Sequence, residues 1–351
     1  MSLARLALPF IVGLALTSCN TATSAPPVGV RVSGSGTPPR HPSAIRRAAP
    51  SAISFPAPGS PLPGPVALVP FGRPAGTGQG TWTPAGRPVG GVPAVYETTV
   101  VPPGGTQPAG IAWMDTGLLS ARLYSGSGSP GGGPYRYTAP VAPAQARTLV
   151  AAFNGGFLMS DARGGYYTEG RVIDPLRAGA ASLVIYADGR ADIGAWGSDV
   201  TMASQVVSVR QNLVPLVADG RPTPSAATAN WHAWGSTCGA TSCAHAVPGI
   251  EHQWRSGLGI TSDGALVYVA GPALDPLQLA QLLVRAGAVR GMQLDINPFW
   301  PVFAAYDPPP GAPATPSNGR KLLPSTTQGP GTFFQPSWAR DFVTMSARPS
   351  P

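Results

Sequence analysis

An α+β domain on a mixed, largely antiparallel sheet with few helices is the fold class this sequence predicts, and three observations predict it. Short apolar or alternating runs bounded by Gly, Pro and Asp recur along the chain; two Asp-Gly dipeptides each sit between such runs; one stretch carries a full set of helix signals. The runs are residues 95–101, 119–124, 149–153, 182–186, 191–193, 206–209, 258–261, 266–270 and 289–294, with a further short one at 171–173. Asp188-Gly189 and Asp263-Gly264 have the form of two-residue hairpin turns, which requires the flanking strands to pair antiparallel. The helix is expected from Asp275 as N-cap and Pro276 at its first position to Gly287 past its end, with Leu279, Leu282, Leu283 and Ala286 on one face. A weaker helix covers 143–147, and the Pro-rich stretch 307–316 reads as a surface loop. No internal repeat is present.

The N-terminal part is different in kind. Residues 1–19 read as a secretory signal: Arg5 supplies the positive start and residues 6–16 an apolar run too short to span a bilayer. It ends in Leu16-Thr17-Ser18-Cys19, the pattern of lipoprotein processing with lipidation at Cys19; ordinary cleavage near Ala22 to Ala25 is the alternative. Residues 20–91 are dominated by Pro, Gly, Ser, Ala and Thr and are expected to form a disordered tether, leaving 92–351 as the folded domain. The expected setting is therefore the outer face of the cytoplasmic membrane, contacted through the lipid anchor alone.

Charge excludes one class of function. The first 96 residues hold seven arginines and no acidic residue, while the rest is nearly neutral, so seven of the net +8 charges lie on the expected signal and tail and not on a folded nucleic-acid-binding face. In a secreted setting Cys238 and Cys243 read as a disulfide. A metal site using His232, Cys238, Cys243, His245 and His252 is the competing reading.

Three segments carry the chemistry. Phe153-Asn154-Gly155-Gly156-Phe157 places an amide at a strand end, with two glycines that let another group approach the backbone closely. Trp254-Arg255-Ser256-Gly257-Leu258-Gly259-Ile260 leads through Asp263-Gly264 to Tyr268, and Gly291-Met292-Gln293-Leu294-Asp295-Ile296-Asn297 follows. Together, from about Ala94 to Arg348, they resemble the phosphodiester glycosidase family, and the stretch from Ala181 to Val209 looks like its actinobacterial branch. The family usually continues its third motif as Leu-Asp-Gly-Gly-Gly-Ser; here Leu294-Asp295 runs into Ile296-Asn297-Pro298-Phe299-Trp300, so the aspartate carries over and the glycine-rich turn does not.

The resemblance implies a hydrolase that releases a sugar, an N-acetylhexosamine in the first instance, from a sugar-1-phosphodiester of an envelope glycan or glycolipid. Because a phosphomonoester departs without being protonated, such a reaction needs one carboxylate, a cation and neutral donors, and not the two carboxylates of most glycosidases. The resemblance assigns the carboxylate to Asp295 and the cation to Arg255, whose planar fork grips two phosphate oxygens. It assigns sugar contacts to Asn154, Gly155 and Gly156, with Asn297 standing in for the missing turn. Each has a plainer alternative: turn-forming Asn at 154 and 297, a turn cap at 295, a surface arginine at 255.

Asp174 is expected as a second carboxylate, and with Asp161 and Glu169 it leaves a divalent-cation site open; Glu169-Gly170 also reads as a turn, and no cofactor is otherwise implied. Trp231, Trp234, Trp254, Phe299 and Trp300 could stack on sugar faces or pack in the core. A non-catalytic envelope-glycan-binding lipoprotein is the alternative to the enzyme, and a structural wall protein a third.

Overall fold

The structure is a computed structural model that describes residues 52–72, 78–228, 234 and 252–349. The chain divides into two units, Met1–Ala48 and Ala49–Pro351, and the described residues all belong to the second. Cys19, Cys238, Cys243, Trp231, His232 and His245 lie outside them, so the lipidation, disulfide and metal expectations at those positions do too.

Among the described residues, the strands form three antiparallel sheets. The largest runs, in order across it, β1 (Thr83–Pro84), β2 (Val95–Val100), β3 (Ala109–Met114), β14 (Leu266–Leu274), β13 (Gln253–Thr261), β15 (Ala288–Ile296), β11 (Val217–Ala218) and β12 (Arg221–Pro222). A second runs β7 (Arg171–Asp174), β6 (Tyr166–Thr168), β10 (Val206–Gln211), β8 (Ala181–Tyr186), β9 (Ala191–Ala195). The third runs β17 (Gly319–Lys321), β16 (Phe303–Tyr306), β5 (Leu149–Asn154), β18 (Phe342–Ala347), β4 (Leu119–Tyr124). Among the described residues the longest helix is Pro276–Arg285, and the rest are single turns such as Pro143–Ala146, so the fold is more nearly all-β than the α+β expectation.

Both Asp-Gly hairpins form, joining β8 to β9 and β13 to β14, with Gly189 and Gly264 at positive φ. Glu169-Gly170 is likewise a turn between β6 and β7. The helix begins as its residues dictate: Asp275 accepts from the Gln278 N–H at 2.6 Å and the Gln278 side chain returns to the Asp275 N–H at 3.1 Å. This reciprocal cap contributes about 1 kcal/mol. Leu279, Leu282 and Leu283 then pack on one face of the large sheet with Ile111, Trp113, Val267 and Val269. The opposite face, through Met114, Leu258, Ile260, Tyr268 and Met292, meets Phe153, Leu183, Ile185, Phe303 and Val343 of the two smaller sheets. The central strands β13 and β15 are thus covered on both sides. Any polar side chain that they carry needs a partner inside the protein.

Of the residues expected in the tether, the described ones, 52–72 and 78–91, carry side chains that pack on the domain. Ile53 and Phe55 pack on one core cluster and Leu62, Leu68, Phe71 and Trp82 on the other. Backbone bonds from Ser54 to Ser262 and from Gly59 to Gly117, each 2.8 Å, fasten the segment, and β1 adds to the sheet edge. Proline-rich chain has little backbone freedom to lose, so a few large apolar side chains suffice to order it. Among the described residues, no helix is long and apolar enough to cross a membrane.

Candidate functional site

The three motif segments do meet. Asn154 closes β5, and its Oδ1 accepts from the Tyr268 hydroxyl at 2.7 Å and the Val302 N–H at 3.1 Å, while Nδ2 donates to Ser256 Oγ and the Gly155 carbonyl, both at 3.0 Å. Ser256 Oγ also accepts the Asp295 N–H at 3.1 Å. One amide and one hydroxyl therefore cross-link all three motifs. That corrects the role expected of Asn154: its two donors and two acceptors are spent inside the protein, leaving none for a sugar.

Gly155 and Gly156 are needed for close approach, as expected, but what approaches is protein. A Cβ on Gly155 would stand 2.0 Å from Asp341 Oδ2, and one on Gly156 would stand 2.8 Å from the Arg210 guanidinium carbon and from Asn212 Oδ1. Asp341 and Arg210 form a fully buried bidentate pair, Nε to Oδ2 at 2.8 Å and Nη2 to Oδ1 at 3.3 Å. Arg210 also donates to the carbonyls of Gln211 and Phe157. Asn212 links the Phe157 N–H to the Gln293 and Leu294 carbonyls, locking the first motif to the third.

Asp295 sits one residue before the end of β15 and is 3% exposed. Oδ1 accepts the Ile296 N–H at 2.8 Å and Oδ2 accepts Arg340 Nη2 at 2.6 Å. Burial pushes its pKa from 3.8 up to about 7, against the pull of Arg340 and of the Ile296 N–H. Arg340 donates as well to the Gly156 carbonyl at 2.9 Å, and its guanidinium lies 4.6 Å from the Trp300 ring centre. Its Nε is buried without a hydrogen-bond partner among the described residues.

Arg255 is not part of this cluster. Ser256 faces Asp295, so strand alternation sends Arg255 to the helix side, where Cβ atoms on Gly257 and Gly259 would meet Leu279 and Leu283. There it is wholly buried and donates to the Leu274 carbonyl at 2.8 Å and to the Trp234 carbonyl and Gln293 Oε1 at 3.0 Å each. Burial lowers its pKa to about 10, with Asp275 opposing. The phosphate-gripping role expected of Arg255 is thereby corrected: the arginine that faces Asp295 is Arg340.

Asn297 takes the turn reading. It has φ 80°, accepts the Phe299 N–H at 2.9 Å and donates its own N–H to the Trp254 carbonyl, and it launches the loop that carries exposed Phe299 and half-buried Trp300. Asp174 is half-buried on β7, opposite Tyr166; the charged groups acting on Asp295 are Arg340, Asp341 and Arg210, so the nearby second carboxylate is Asp341 and not Asp174. Asp161 is exposed, and the Glu169 carboxylate is taken up by the N–H groups of Arg136 and Tyr137. Among the described residues no three His, Cys, Asp or Glu side chains gather as a metal site. His252 stands 3.7 Å from Asp275 instead.

Sequence reasoning missed Arg340, Asp341, Arg210 and Asn212. In a chain with only 11% charged residues, the Arg340-Asp341 dipeptide at the mouth of an apolar run was the available signal.

No protein-family model matches the chain, and no curated protein does. Among solved structures it is similar to the zebrafish N-acetylglucosamine-1-phosphodiester alpha-N-acetylglucosaminidase catalytic domain auto-inhibited by its pro-peptide. That likeness has 14% identity and a TM-score of 0.43, covering 75% of this chain and 87% of that one. It is also similar to a hypothetical protein from Synechocystis, at 11% identity and a TM-score of 0.38, over 76% of this chain and 64% of that one. With TM-scores this low, the functional reading rests on the residues of the chain itself.

Proposed function

We propose that this chain is a hydrolase centred on Asp295 and Arg340, releasing a sugar from a sugar-1-phosphodiester of a cell-envelope glycan or glycolipid. The observation that carries the reading is the buried carboxyl held near pH 7 with a guanidinium at 2.6 Å, at the point where the three motifs converge. A carboxyl with that pKa takes a proton from water efficiently at neutral pH. Arg340 brings a charge for the departing phosphate and an Nε–H not yet engaged, and its guanidinium is held over the Trp300 ring. The leader ending at Cys19 supports placement outside the cytoplasm on a lipid anchor.

The test is sugar release from a panel of sugar-1-phosphodiesters by the purified full chain. Asp295→Asn is expected to lower kcat/KM by about 10²- to 10⁴-fold. Absence of turnover by the wild-type protein across the panel would defeat the enzyme reading. One observation favours the second reading, a glycan-binding lipoprotein: both Asp295 oxygens are already bonded within the protein. That reading predicts saturable glycan binding that survives Asp295→Asn, with no product formed.

A further inference from the structure

One cleft of the domain shares no lining residue with the Asp295 cluster. It has a volume of about 480 Å³ and lies between β4, the edge strand of the third sheet, and the ends of β6, β8 and β10 in the second. That is the size range of small-ligand pockets. Leu123, Ile185, Val207 and Tyr186 give it apolar walls, and the hydroxyls of Thr168 and Ser208, 3.1 Å apart, supply a polar spot.

The charges in this cleft are unequally committed. Glu169 is spent on the N–H groups of Arg136 and Tyr137 at 3.0 and 2.9 Å, which fixes the loop that carries Arg136. Asp188 is engaged by Arg190, and Arg348 by the carbonyls of Thr116 and Asp188. Arg122 and Arg136, in contrast, make no hydrogen bond through their guanidinium groups and no ion pair with any described residue. Both are held against one ring, their guanidinium carbons 4.0 and 5.2 Å from the centre of Tyr137. Stacking leaves the N–H edge of a guanidinium available, and two such edges at one mouth match the several oxygens of a phosphate. The apolar walls behind them match a hydrocarbon body.

From this arrangement we propose that the cleft between β4 and the second sheet binds the phosphate ester of an apolar alcohol, its phosphate between Arg122 and Arg136 and its chain along Val207 and Ile185. This site goes beyond the hydrolase reading and stands or falls separately from it.

Calorimetric titration of the full chain carrying Cys19→Ser, which removes the expected acylation site, tests it with three probes: octyl phosphate below its micelle concentration, octyl glucoside as the neutral counterpart, and inorganic phosphate. Octyl phosphate is expected to bind more tightly than either of the others. Arg122→Gln/Arg136→Gln, at two exposed positions, should weaken it about tenfold to a hundredfold with an unchanged melting midpoint. Val207→Glu, which puts an anion at the mouth, should weaken it independently of the arginines. Vesicles of phosphatidylcholine with phosphatidic acid separate the sources: retention on them that octyl phosphate competes away marks a lipid headgroup as the ligand, and binding of the monomer alone marks a soluble ester. Equal affinity for octyl phosphate and octyl glucoside, or undiminished binding by the double variant, would overturn the proposal. So would vesicle binding that octyl phosphate cannot displace.

Discussion

Arg340→Met removes the only guanidinium bonded to Asp295 among the described residues while keeping much of the apolar stem, and its cost should depend on pH in a defined way. In the wild-type fold Asp295 has a pKa of about 7 against 3.8 for the free side chain. A raised carboxyl contributes stability that is full below the unfolded value and is lost as pH climbs to the folded one. Above about 7 the wild-type loss stops growing, because folded Asp295 is then ionised beside Arg340. Without the guanidinium the folded pKa moves further up, so in the variant the loss continues at about 1.4 kcal/mol per pH unit above that point. At pH 5 both proteins hold Asp295 protonated, and the difference should be the lost bonds to the Gly156 carbonyl and to Asp295 Oδ2, about 2 kcal/mol. By pH 9 it should be larger by about 2 to 3 kcal/mol. Urea unfolding from pH 5 to pH 9 measures this directly, and Asp295→Asn in the Arg340→Met background should flatten the profile. A penalty constant across that range would refute both the raised carboxyl and the pairing assigned to it.

Two further outcomes follow from the same network. Gly155→Ala should lose at least about 3 kcal/mol in urea unfolding, because its Cβ meets Asp341 Oδ2 at 2.0 Å and forces apart the buried pair with Arg210; a loss under about 1 kcal/mol would mean that the glycine serves something else. Arg255→Met should cost about 2 kcal/mol or more by removing its bonds to the Leu274 and Trp234 carbonyls and to Gln293 Oε1, yet leave kcat/KM per folded molecule unchanged; a large fall in turnover with an intact fold would restore Arg255 as the phosphate ligand.

Much of the scaffold was legible because local chemistry and tertiary structure agree. β4 occupies residues 119–124 as its alternation predicts, and Asp275, Pro276 and Gly287 bound the helix as their capping roles require. Besides pairs and triplets too short to show a period, two strands escaped notice because their surroundings override periodicity. β3, Ala-Gly-Ile-Ala-Trp-Met, is buried on both faces and so has no alternation to read, and β16 is four buried residues long. At the site, the motifs revealed which segments converge but not which side chains share a face. Arg255 and Ser256 are neighbours in sequence, and the pleat sends one to the helix and the other to Asp295. The bulge in β13–β15 pairing between Arg255 and Gly257 shifts the register at that point, which no spacing in the sequence encodes. Arg340 lies 45 residues from Asp295 and is brought to it only by the pairing of β18 with β5.

The anchoring of residues 53–71 on the sheet has a practical corollary for where the domain can be cut. A gene product starting at residue 92 would shed Phe55, Leu62 and Trp82, and with them β1, baring greasy patches on both core clusters and an unpaired strand flank on β2. Such a truncated chain would stick to its own copies, and its insolubility would say nothing about the merits of the fold.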